Sequence, residues 1–292
     1  MTWEETIISI RKQPEFAELI EKAYFDEDLL LNVERFRTSN EYSETKKIIS
    51  AFLPSVPNIK LLDVGSGNGI SAISFALDGF NVSAVEPDKS ETIGSGAIKK
   101  LAAHFKLANI HVADSFGENL PFEENSFNIV YIRQAMHHAN DLEKFIKEAA
   151  RVLKKDGLLL TIRDHVVYNS KDKEWFLNNH PLQRFYGGEN AFSFEQYKNA
   201  IEKAGLKIKK VLKYFDSVIN YFPMEEKDIQ RLYAEREMLI ENSLSRKLPS
   251  FLARNFIVKK IYSSYVISRL GPILNEAAIP GRMYSFIAVK TI

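Results

Sequence analysis

Apolar residues along this chain follow two patterns, and the change from one to the other falls near residue 59. Before that point they recur every three or four positions, which is the spacing of an amphipathic helix. One such set is Phe16, Leu19, Ile20 and Ala23. A second helix is predicted over residues 41–52, ahead of Pro54 and Pro57. Residues 1–58 are therefore expected to form a helical segment in front of the main domain.

Short apolar runs alternate with helical stretches from residue 59 onward. Five runs have the pattern of buried strands, at residues 59–64, 80–85, 110–112, 127–132 and 158–162. Two more candidate strands follow, at residues 206–214 and 283–289. Strands that alternate with helices through short connections form a parallel sheet covered on both faces. The expected fold is α/β, a Rossmann-like doubly wound, mostly parallel seven-stranded sheet with an added helical cap.

The cap is predicted from the long separation of the last two strands. Residues 216–282 lie between them, which is too long for a plain loop, and much of this insertion has a helical pattern. We therefore expect a core formed by residues 59–215 together with 283–292. Residues 1–58 would close over the cofactor side of that core.

Composition narrows the class of protein. The 292 residues are 45% hydrophobic and 26% charged, which is ordinary for a globular domain, and the net charge of +1 gives no broad basic face for nucleic acid. The chain has no cysteine, which excludes disulfides, thiol nucleophiles and cysteine-ligated metals, and no metal is expected. The acidic start of the chain is unlike a signal peptide, and no apolar stretch approaches a membrane span. A cytoplasmic location is therefore expected.

A glycine-rich turn stands between the first predicted strand and the helix after it. The sequence Asp63-Val64-Gly65-Ser66-Gly67-Asn68-Gly69 brings bare backbone N–H groups close to a ligand, because glycine has no Cβ to block the approach. Glu86 ends the second strand nineteen residues after Gly67, where a carboxylate can accept hydrogen bonds from ribose hydroxyls. These two features fit a dinucleotide or S-adenosylmethionine.

Two details favour S-adenosylmethionine. A dinucleotide motif needs a small third residue for close packing of helix and strand, and Ile70 stands at that position. Asp63 lies within the first strand, where its carboxylate would repel a pyrophosphate and attract the ammonium of the methionine part. A nicotinamide-dependent oxidoreductase is therefore the weaker interpretation.

With these residues in place, the chain resembles a class I S-adenosylmethionine-dependent methyltransferase. The likeness is greatest to the small-molecule branch that includes ubiquinone- and menaquinone-type enzymes, and it covers roughly residues 59–165. Five separated segments carry it in order: the glycine turn, Val85-Glu86-Pro87-Asp88, Ala113-Asp114-Ser115, residues 118–130, and Arg151-Val152-Leu153-Lys154-Lys155-Asp156-Gly157.

The resemblance implies a role for each matching residue. Gly65, Ser66 and Gly67 would contact the methionine part, and Glu86 would hold the ribose. Pro87 would line the adenine pocket, with Asp114 at the adenine amino group and Ser115 beside it. Arg133 and Gln134, just after the fourth strand, would lie over the cofactor.

Histidines follow the fourth and fifth strands, at the edge where such sheets bind ligands. His137 and His138 are candidates for a general base or for contact with the acceptor, and packing against the next helix is the alternative. His165 is a third candidate, with Asp164 beside it as a possible partner. Residues 180–190 have the polar, aromatic and glycine content of a lid, and a plain surface loop is equally compatible with that content.

Two basic features remain open. Arg35, Arg37 and Tyr42 precede the core, where an arginine fork would suit the cofactor carboxylate, although surface charge is the simpler interpretation for at least one of them. Residues 243–270 contain six Lys or Arg and no acid among apolar residues. Such a stretch can contact lipid, and a helix pair packed on the core is the more common case.

The sequence therefore predicts methyl transfer from S-adenosylmethionine to a small-molecule acceptor, with the acceptor and its reacting atom left open. S-adenosylhomocysteine would be the product, and no nucleic-acid partner is expected. A methyltransferase-like binding protein without catalysis is the first alternative, and a nicotinamide-dependent oxidoreductase is the second.

Overall fold

The computed structural model describes residues 2–54, 57–186, 188–249, 252, 255–267 and 273–291. Its centre is one sheet in which seven strands run side by side in the order β3-β2-β1-β4-β5-β8-β7. The strands are β1 (Lys60–Val64), β2 (Asn81–Val85), β3 (Ile110–Ala113), β4 (Phe127–Arg133), β5 (Leu153–Val167), β6 (Phe192–Ser193), β7 (Leu206–Leu212) and β8 (Met283–Lys290).

The strands on the path from β3 to β5 are parallel, and β8 is antiparallel to both of its neighbours. The predicted Rossmann-like, mostly parallel sheet is therefore confirmed, whereas the predicted number of seven strands is wrong. The eighth strand, β6, has two residues and pairs with Val166 and Val167 at the end of β5. A pairing this short leaves no alternating pattern in the sequence from which it could be predicted.

Thirteen helices are named here among the described residues. They are α1 (Trp3–Ile10), α2 (Ala17–Lys22), α3 (Leu29–Thr38), α4 (Asn40–Phe52), α5 (Ile70–Leu77), α6 (Ser95–His104), α7 (Leu142–Val152), α8 (Ser170–Asn179), α9 (Gln183–Tyr186), α10 (Phe194–Lys203), α11 (Val218–Tyr221), α12 (Glu226–Lys247) and α13 (Phe256–Ile267). Helix α10 begins with Ser193 and Gln196 in a capping box, in which each side chain accepts a hydrogen bond from the backbone N–H of the other residue.

Helices cover both faces of the sheet, which explains why its strands are apolar throughout. On one face α7 and α10 pack around buried residues such as Val130 and Phe286. On the other face α5 packs with α3 and α6, around residues such as Phe75 and Tyr131. Since each central strand is buried on both sides, it lacks the alternation of a half-exposed strand.

Strand β5 is much longer than the predicted segment of residues 158–162 and contains a bulge. Between the pairs Thr161–Phe286 and Asp164–Tyr284, β5 advances three residues while β8 advances two. Arg163 has a positive φ of 62° at this point. A bulge changes the direction of the side chains that follow it, which is common beside active sites. Here it lets Asp164 and His165 both be buried at the carboxyl edge of the sheet.

The N-terminal helices form two contacts with the core. Helices α3 and α4 pack near α5, where Arg37 and Tyr42 both contact the carboxylate of Asp78. Helix α1 packs through Ile7 and Ile10 in a separate cluster that includes Ile93 and Leu182. The segment predicted to close over the core therefore reaches both the loop after β2 and the loop before α9.

The insertion between β7 and β8 is mainly helical, as predicted. It contains α11, α12 and α13, and α12 packs against α13. The side chains of Phe256, Ile257 and Ile261 on α13 are exposed. Residues 250, 251, 253, 254 and 268–270 of the predicted basic stretch lie outside the described residues, and its contact with lipid stays a prediction. No described helix has both the length and the apolar character that crossing a bilayer requires.

Candidate functional site

The glycine turn, residues 65–69, connects β1 to α5 with three positive φ angles. These are 70° at Gly65, 54° at Gly67 and 85° at Gly69, a conformation that L-residues with a Cβ avoid. A Cβ on Gly65 would lie 2.4 Å from the Cβ of Ala135, whereas a Cβ on Gly67 would have no atom within 4 Å. Gly65 is therefore required by close packing, and the backbone of Gly67 borders open space in which a ligand could lie.

Glu86 is held directly against this turn. One of its oxygens accepts a hydrogen bond of 2.7 Å from the Gly67 N–H, and the other accepts one of 3.0 Å from the Asp88 N–H. The side chain is largely buried, and burial raises the pKa of Glu86 to about 7 in spite of these donors. The carboxylate is thus fixed beside the turn, where the sequence predicts it.

Asp63 lies under the turn with one unpaired oxygen. Its Oδ2 accepts a hydrogen bond of 2.6 Å from the Ser71 hydroxyl, while its buried Oδ1 has no partner. Burial raises the pKa of Asp63 to about 6, although Ser71 and Arg133 lower it. A buried carboxylate oxygen without a donor is costly, so this atom suits a ligand that brings a cation or an N–H group.

These residues fit S-adenosylmethionine. The unpaired Oδ1 of Asp63 matches an ammonium, the space beside Gly67 matches a ligand that approaches the backbone, and Glu86 retains lone pairs for hydroxyl groups. Ser66 is buried, and its hydroxyl donates to the Asp63 carbonyl within the turn.

The other residues predicted on the adenine side lie on the open side of this site. Pro87 is exposed and Ser115 is half-buried, and the Ser115 hydroxyl donates to the Asn119 carbonyl. Asp114 lies 3.3 Å from the Lys99 ammonium, and the nearby Ser95 hydroxyl together with this ammonium lowers the pKa of Asp114. Its carboxylate is therefore ionised and available as an acceptor.

Arg133 and Gln134 differ in their availability to a ligand. Arg133 donates to both oxygens of Glu41 on α4, at 2.6 and 3.0 Å, and its guanidinium lies over the rings of Tyr24 and Phe36. The Arg133 side chain is thus committed to a buried ion pair. Gln134, with a positive φ of 50°, follows it and lines the adjoining cavity.

Arg35 and Arg37, the arginines considered as a fork for the cofactor carboxylate, contact other groups of the protein. Arg37 donates to the carbonyl of Ser74 and to the carboxylate of Asp78, at the end of α5 that is remote from the glycine turn. Arg35 lies 3.5 Å from Asp26. That interpretation is therefore wrong for Arg37, because its partners are groups of the protein itself. For Arg35, whose Nη1 has no hydrogen-bond partner, it stays a prediction. A different N-terminal contact exists, in which the Asn68 side chain donates to the Tyr24 carbonyl at 2.7 Å.

A cavity of about 680 Å³ opens beside the carboxyl ends of β4 and β5. Its walls come from the N-terminal helices, the segment with α8 and α9, residues on either side of α11 and the chain before β8. Much of the lining is apolar; this part includes Phe16, Leu19, Phe25, Phe176 and Phe222. The size and the lining suit a small molecule with a large apolar part. We call this space the acceptor cavity.

His137 is buried at the wall of the acceptor cavity and paired with Asp164. Its Nδ1 lies 3.1 Å from Asp164 Oδ1, and the same oxygen accepts a hydrogen bond from the His137 backbone N–H. Burial lowers the pKa of His137 well below its ordinary value and raises the pKa of Asp164 to about 8. The hypothesis that Asp164 orients its neighbour His165 is therefore wrong, since the carboxylate contacts His137 instead.

His165 and His138 complete the predicted set. The Nδ1 of His165 lies 2.5 Å from the Gly281 carbonyl, its ring packs 4.8 Å from that of His137, and burial lowers its pKa to about 3. His138 is exposed, with its Nδ1 3.1 Å from the Gly188 carbonyl. All three imidazoles line the acceptor cavity, and their role in catalysis stays a prediction.

The sequence analysis did not single out His180 and Glu189 as functional candidates. Glu189 places Oε2 3.8 Å from His137 Nε2 and Oε1 3.6 Å from His180 Nδ1. We call His137, His165, His180 and Glu189 the histidine cluster. Residues 180–190 contained the signal, a histidine and an acid in a candidate lid, but nothing local indicated that the acid turns inward. Gly187 of that segment lies outside the described residues.

Comparisons with known proteins give the same picture of the core. A family model described as a methyltransferase domain matches residues 62–161. The uncharacterized methyltransferase YcgJ of Bacillus subtilis (strain 168) is 33% identical over 127 residues, which are 41% of this chain and 46% of that protein. The ubiquinone/menaquinone biosynthesis C-methyltransferase UbiE of Rickettsia bellii (strain OSU 85-389) is 32% identical over 184 residues, 60% of this chain and 67% of that one.

The matched segment spans about half the length of the first of these two relatives. Among solved structures, geranyl diphosphate C-methyltransferase from Streptomyces coelicolor A3(2), in complex with Mg²⁺, geranyl diphosphate and S-adenosyl-L-homocysteine, superposes with a TM-score of 0.56. The superposition covers 90% of this chain and 82% of that chain, at 14% sequence identity. A likeness at that identity concerns the fold alone.

Proposed function

Because this chain belongs to the class I S-adenosylmethionine-dependent methyltransferases, we propose that it methylates a small, mainly apolar molecule bound in the acceptor cavity. The observation that carries this proposal is the contact between the glycine turn and the cavity wall. Gly65 packs so closely on Ala135 that a Cβ would not fit, and Gln134 and His137, on either side of Ala135, line the cavity. A donor at the turn and an acceptor in the cavity would therefore be adjacent.

The cofactor supplies an electrophilic methyl group when it is bound. In such a transfer an electron pair of the acceptor atom forms the bond to the methyl carbon, and the electron pair of the broken carbon–sulfur bond stays on sulfur. The main task of the protein is to hold both molecules close and aligned. We assign Asp63 and the residues Gly65, Ser66 and Gly67 to the methionine part, and Glu86 to the ribose. Pro87, Asp114 and Ser115 would border the adenine.

Acceptor binding is assigned to the cavity lining. Phe16, Leu19 and Phe222 would bury the apolar part of the acceptor, which is the main source of affinity in such a pocket. His137 and His165 would contact its polar group, with His138 at the cavity edge and Gln134 between donor and acceptor. The name of the UbiE relative, which refers to ubiquinone/menaquinone biosynthesis, supports an acceptor with an apolar part.

The experiment is methyl transfer from S-adenosylmethionine labelled in its methyl group. The acceptors offered are alkylphenols, alkylamines, an RNA oligonucleotide and a basic peptide. Label in the small apolar acceptors is expected, and label only in the oligonucleotide or the peptide would contradict the proposal. So would the absence of label in every small acceptor offered to protein that binds the cofactor.

A matched pair of variants locates the acceptor. Met283 lines the cavity, whereas Met238 is exposed on α12. Met283→Trp should fill the cavity and raise the KM for the acceptor while cofactor binding stays unchanged. Met238→Trp should leave both quantities at the values of the original protein.

A further inference from the structure

We propose that His137, His165 and Glu189 bind one divalent transition-metal ion of the zinc class at the wall of the acceptor cavity. Each residue offers one ligand atom, and these three atoms lie within 4.8 Å of one another. Two imidazoles and one carboxylate are a ligand set that proteins use for catalytic zinc and for iron(II).

The orientation of the two imidazoles supports the site. A histidine that binds a metal through one nitrogen almost always has its other nitrogen held by a carboxylate or a backbone carbonyl. His137 Nδ1 is held by Asp164, and His165 Nδ1 is held by the Gly281 carbonyl. The remaining nitrogen of His137, Nε2, lies 3.8 Å from Glu189 Oε2. With Nδ1 of His165 held by a carbonyl, Nε2 of that ring is the nitrogen left for a metal ion. Both rings are therefore fixed in the way that first-sphere ligands are.

The environment of Glu189 is the second, independent observation. Its side chain is only 5% exposed, and no ion pair with Lys or Arg is seen among the side chains that the structure describes, which do not include that of Arg184. Its nearest charged or titratable neighbours are His137 and His180, at 3.8 and 3.6 Å, which is beyond hydrogen-bond distance. The His180 Nδ1 is itself buried without a partner. A buried carboxylate without a cation is costly, and a bound divalent ion would remove that cost.

Ligand atoms on one zinc ion are about 3.4 Å apart, given zinc–ligand distances of about 2.1 Å. Distances within the cluster therefore need to shorten by up to about 1.4 Å, which requires rotation of the ligand side chains. Imidazole ligands favour zinc, copper, iron or nickel, whereas Mg²⁺ and Ca²⁺ prefer oxygen ligands. Three protein ligands leave one or two positions open toward the cavity. If the proposed function holds, the polar group of the acceptor would occupy one of them.

The first test is titration of the chelator-treated full chain with ZnCl₂ by calorimetry, with MgCl₂ as the comparison. One equivalent of Zn²⁺ is expected to bind, and Mg²⁺ is not expected to compete. Substitution with Co²⁺ should give the visible absorption of a four- or five-coordinate site with nitrogen ligands. Weak binding of several ions, or Co²⁺ with the spectrum of the free aqueous ion, would overturn the proposal.

Variants of the ligands identify the site. Glu189→Gln and His165→Gln should abolish stoichiometric Zn²⁺ binding, and Asp164→Asn, which affects only the positioning of His137, should weaken it by about 10–100-fold. The matched controls are Glu195→Gln and His111→Gln, two exposed residues outside the cluster, which should bind Zn²⁺ like the original protein. Unchanged Zn²⁺ affinity in Glu189→Gln and His165→Gln would overturn the proposal.

Titration of the same proteins with S-adenosylmethionine reports folding and separates the two proposals. The glycine turn shares no residue with the cluster, so each variant should keep its cofactor affinity. Cofactor binding without Zn²⁺ binding would remove the metal site and leave methyl transfer standing. Zn²⁺ binding without cofactor binding would do the reverse. Acetohydroxamate, a small oxygen donor, should change the spectrum of the Co²⁺ protein, and an unchanged spectrum would contradict the open positions.

Discussion

At the carboxyl edge of the sheet, the glycine turn and the histidine cluster lie on either side of Ala135 but are assembled in different ways. The turn takes its residues from one stretch, 63–69, and from Glu86 at the end of the neighbouring strand. The cluster takes His137, His165 and the pair His180 and Glu189 from three separate segments. The first arrangement depends on local backbone conformation, and the second depends on the whole tertiary structure.

The two regions also differ in how their buried charges are balanced. At the turn, Asp63 and Glu86 are near donors of the protein, and the one buried oxygen left unpaired faces a ligand site. In the cluster, the ion-pair partners found for Glu189 among the described side chains are the imidazoles of His137 and His180. Cofactor binding would thus complete the first region, and a metal ion would complete the second.

The largest expected effect comes from Glu41, which lies beneath both regions. Glu41 is fully buried, pairs with Arg133 from the end of β4, and lies 3.9 Å from Arg163 at the bulge of β5. Glu41→Ala leaves two buried guanidinium groups without their carboxylate, which should cost about 3–5 kcal/mol of the free energy of unfolding. Urea denaturation followed by circular dichroism measures it. A loss below about 1 kcal/mol would show that the pair does not join the two regions.

Asp63→Asn measures the free-energy cost of burying an ionised carboxylate beneath the glycine turn. The pKa of Asp63 is raised to about 6 from about 3.8, so the folded state binds the proton more tightly than the unfolded state. The stability of the original protein therefore falls as the pH rises from about 4 to about 6, and it stays lower above that range. In cofactor-free protein, Asp63→Asn should be more stable by about 2–3 kcal/mol near pH 7, with little gain near pH 4.

Denaturation curves at the two pH values test this change, and cofactor titration near pH 7 supplies the control. The variant should bind S-adenosylmethionine more weakly in spite of its higher stability, because the ammonium loses its charged partner. A gain in stability near pH 4 as large as that near pH 7 would contradict the assigned cause.

Gly67→Ala distinguishes the effect of a Cβ on protein stability from its effect on cofactor binding. A Cβ at this position meets no atom within 4 Å, so the expected cost is only that of a positive φ, about 1–2 kcal/mol. Cofactor affinity should nevertheless fall, since the Cβ would occupy the space that the ligand approaches. Thermal unfolding with and without S-adenosylmethionine separates the two effects. Equal stabilisation by the cofactor in both proteins would argue against a ligand beside Gly67.

The smallest expected effect serves as the reference for the others. Lys203 and Glu143 form an exposed ion pair at 2.6 Å on the surface between α10 and α7. Lys203→Ala should change the free energy of unfolding by less than about 1 kcal/mol, because solvent and salt screen exposed pairs. Denaturation in low and in high salt checks this. A loss comparable to that of Glu41→Ala would mean that burial does not explain the difference.

The same contrast explains how much could be predicted from the sequence. The glycine turn and Glu86 were predictable, because a tight turn requires glycine and a parallel neighbour fixes where the second strand ends. The capping box at Ser193 and the strand–helix alternation were predictable for the same local reason. Each of these depends on residues that are close in the chain or in adjacent strands.

The histidine cluster could be predicted only in part. His137 and His165 follow strand ends, but the bulge at Arg163 brings Asp164 to His137, and no local pattern indicates that bulge. Glu189 resembles any loop acid in sequence, and only tertiary packing buries it. The eighth strand was not predicted because two residues are too few to show an alternating pattern in the sequence.

The most direct test of the central claim is calorimetric titration with S-adenosylmethionine and with NADH, for the original protein and for Glu86→Ala. We expect about micromolar affinity for S-adenosylmethionine, no binding of NADH, and a loss of about 100-fold or more in the variant, because two hydrogen bonds to a carboxylate disappear. Binding of NADH in place of S-adenosylmethionine, or unchanged affinity in Glu86→Ala, would contradict the account.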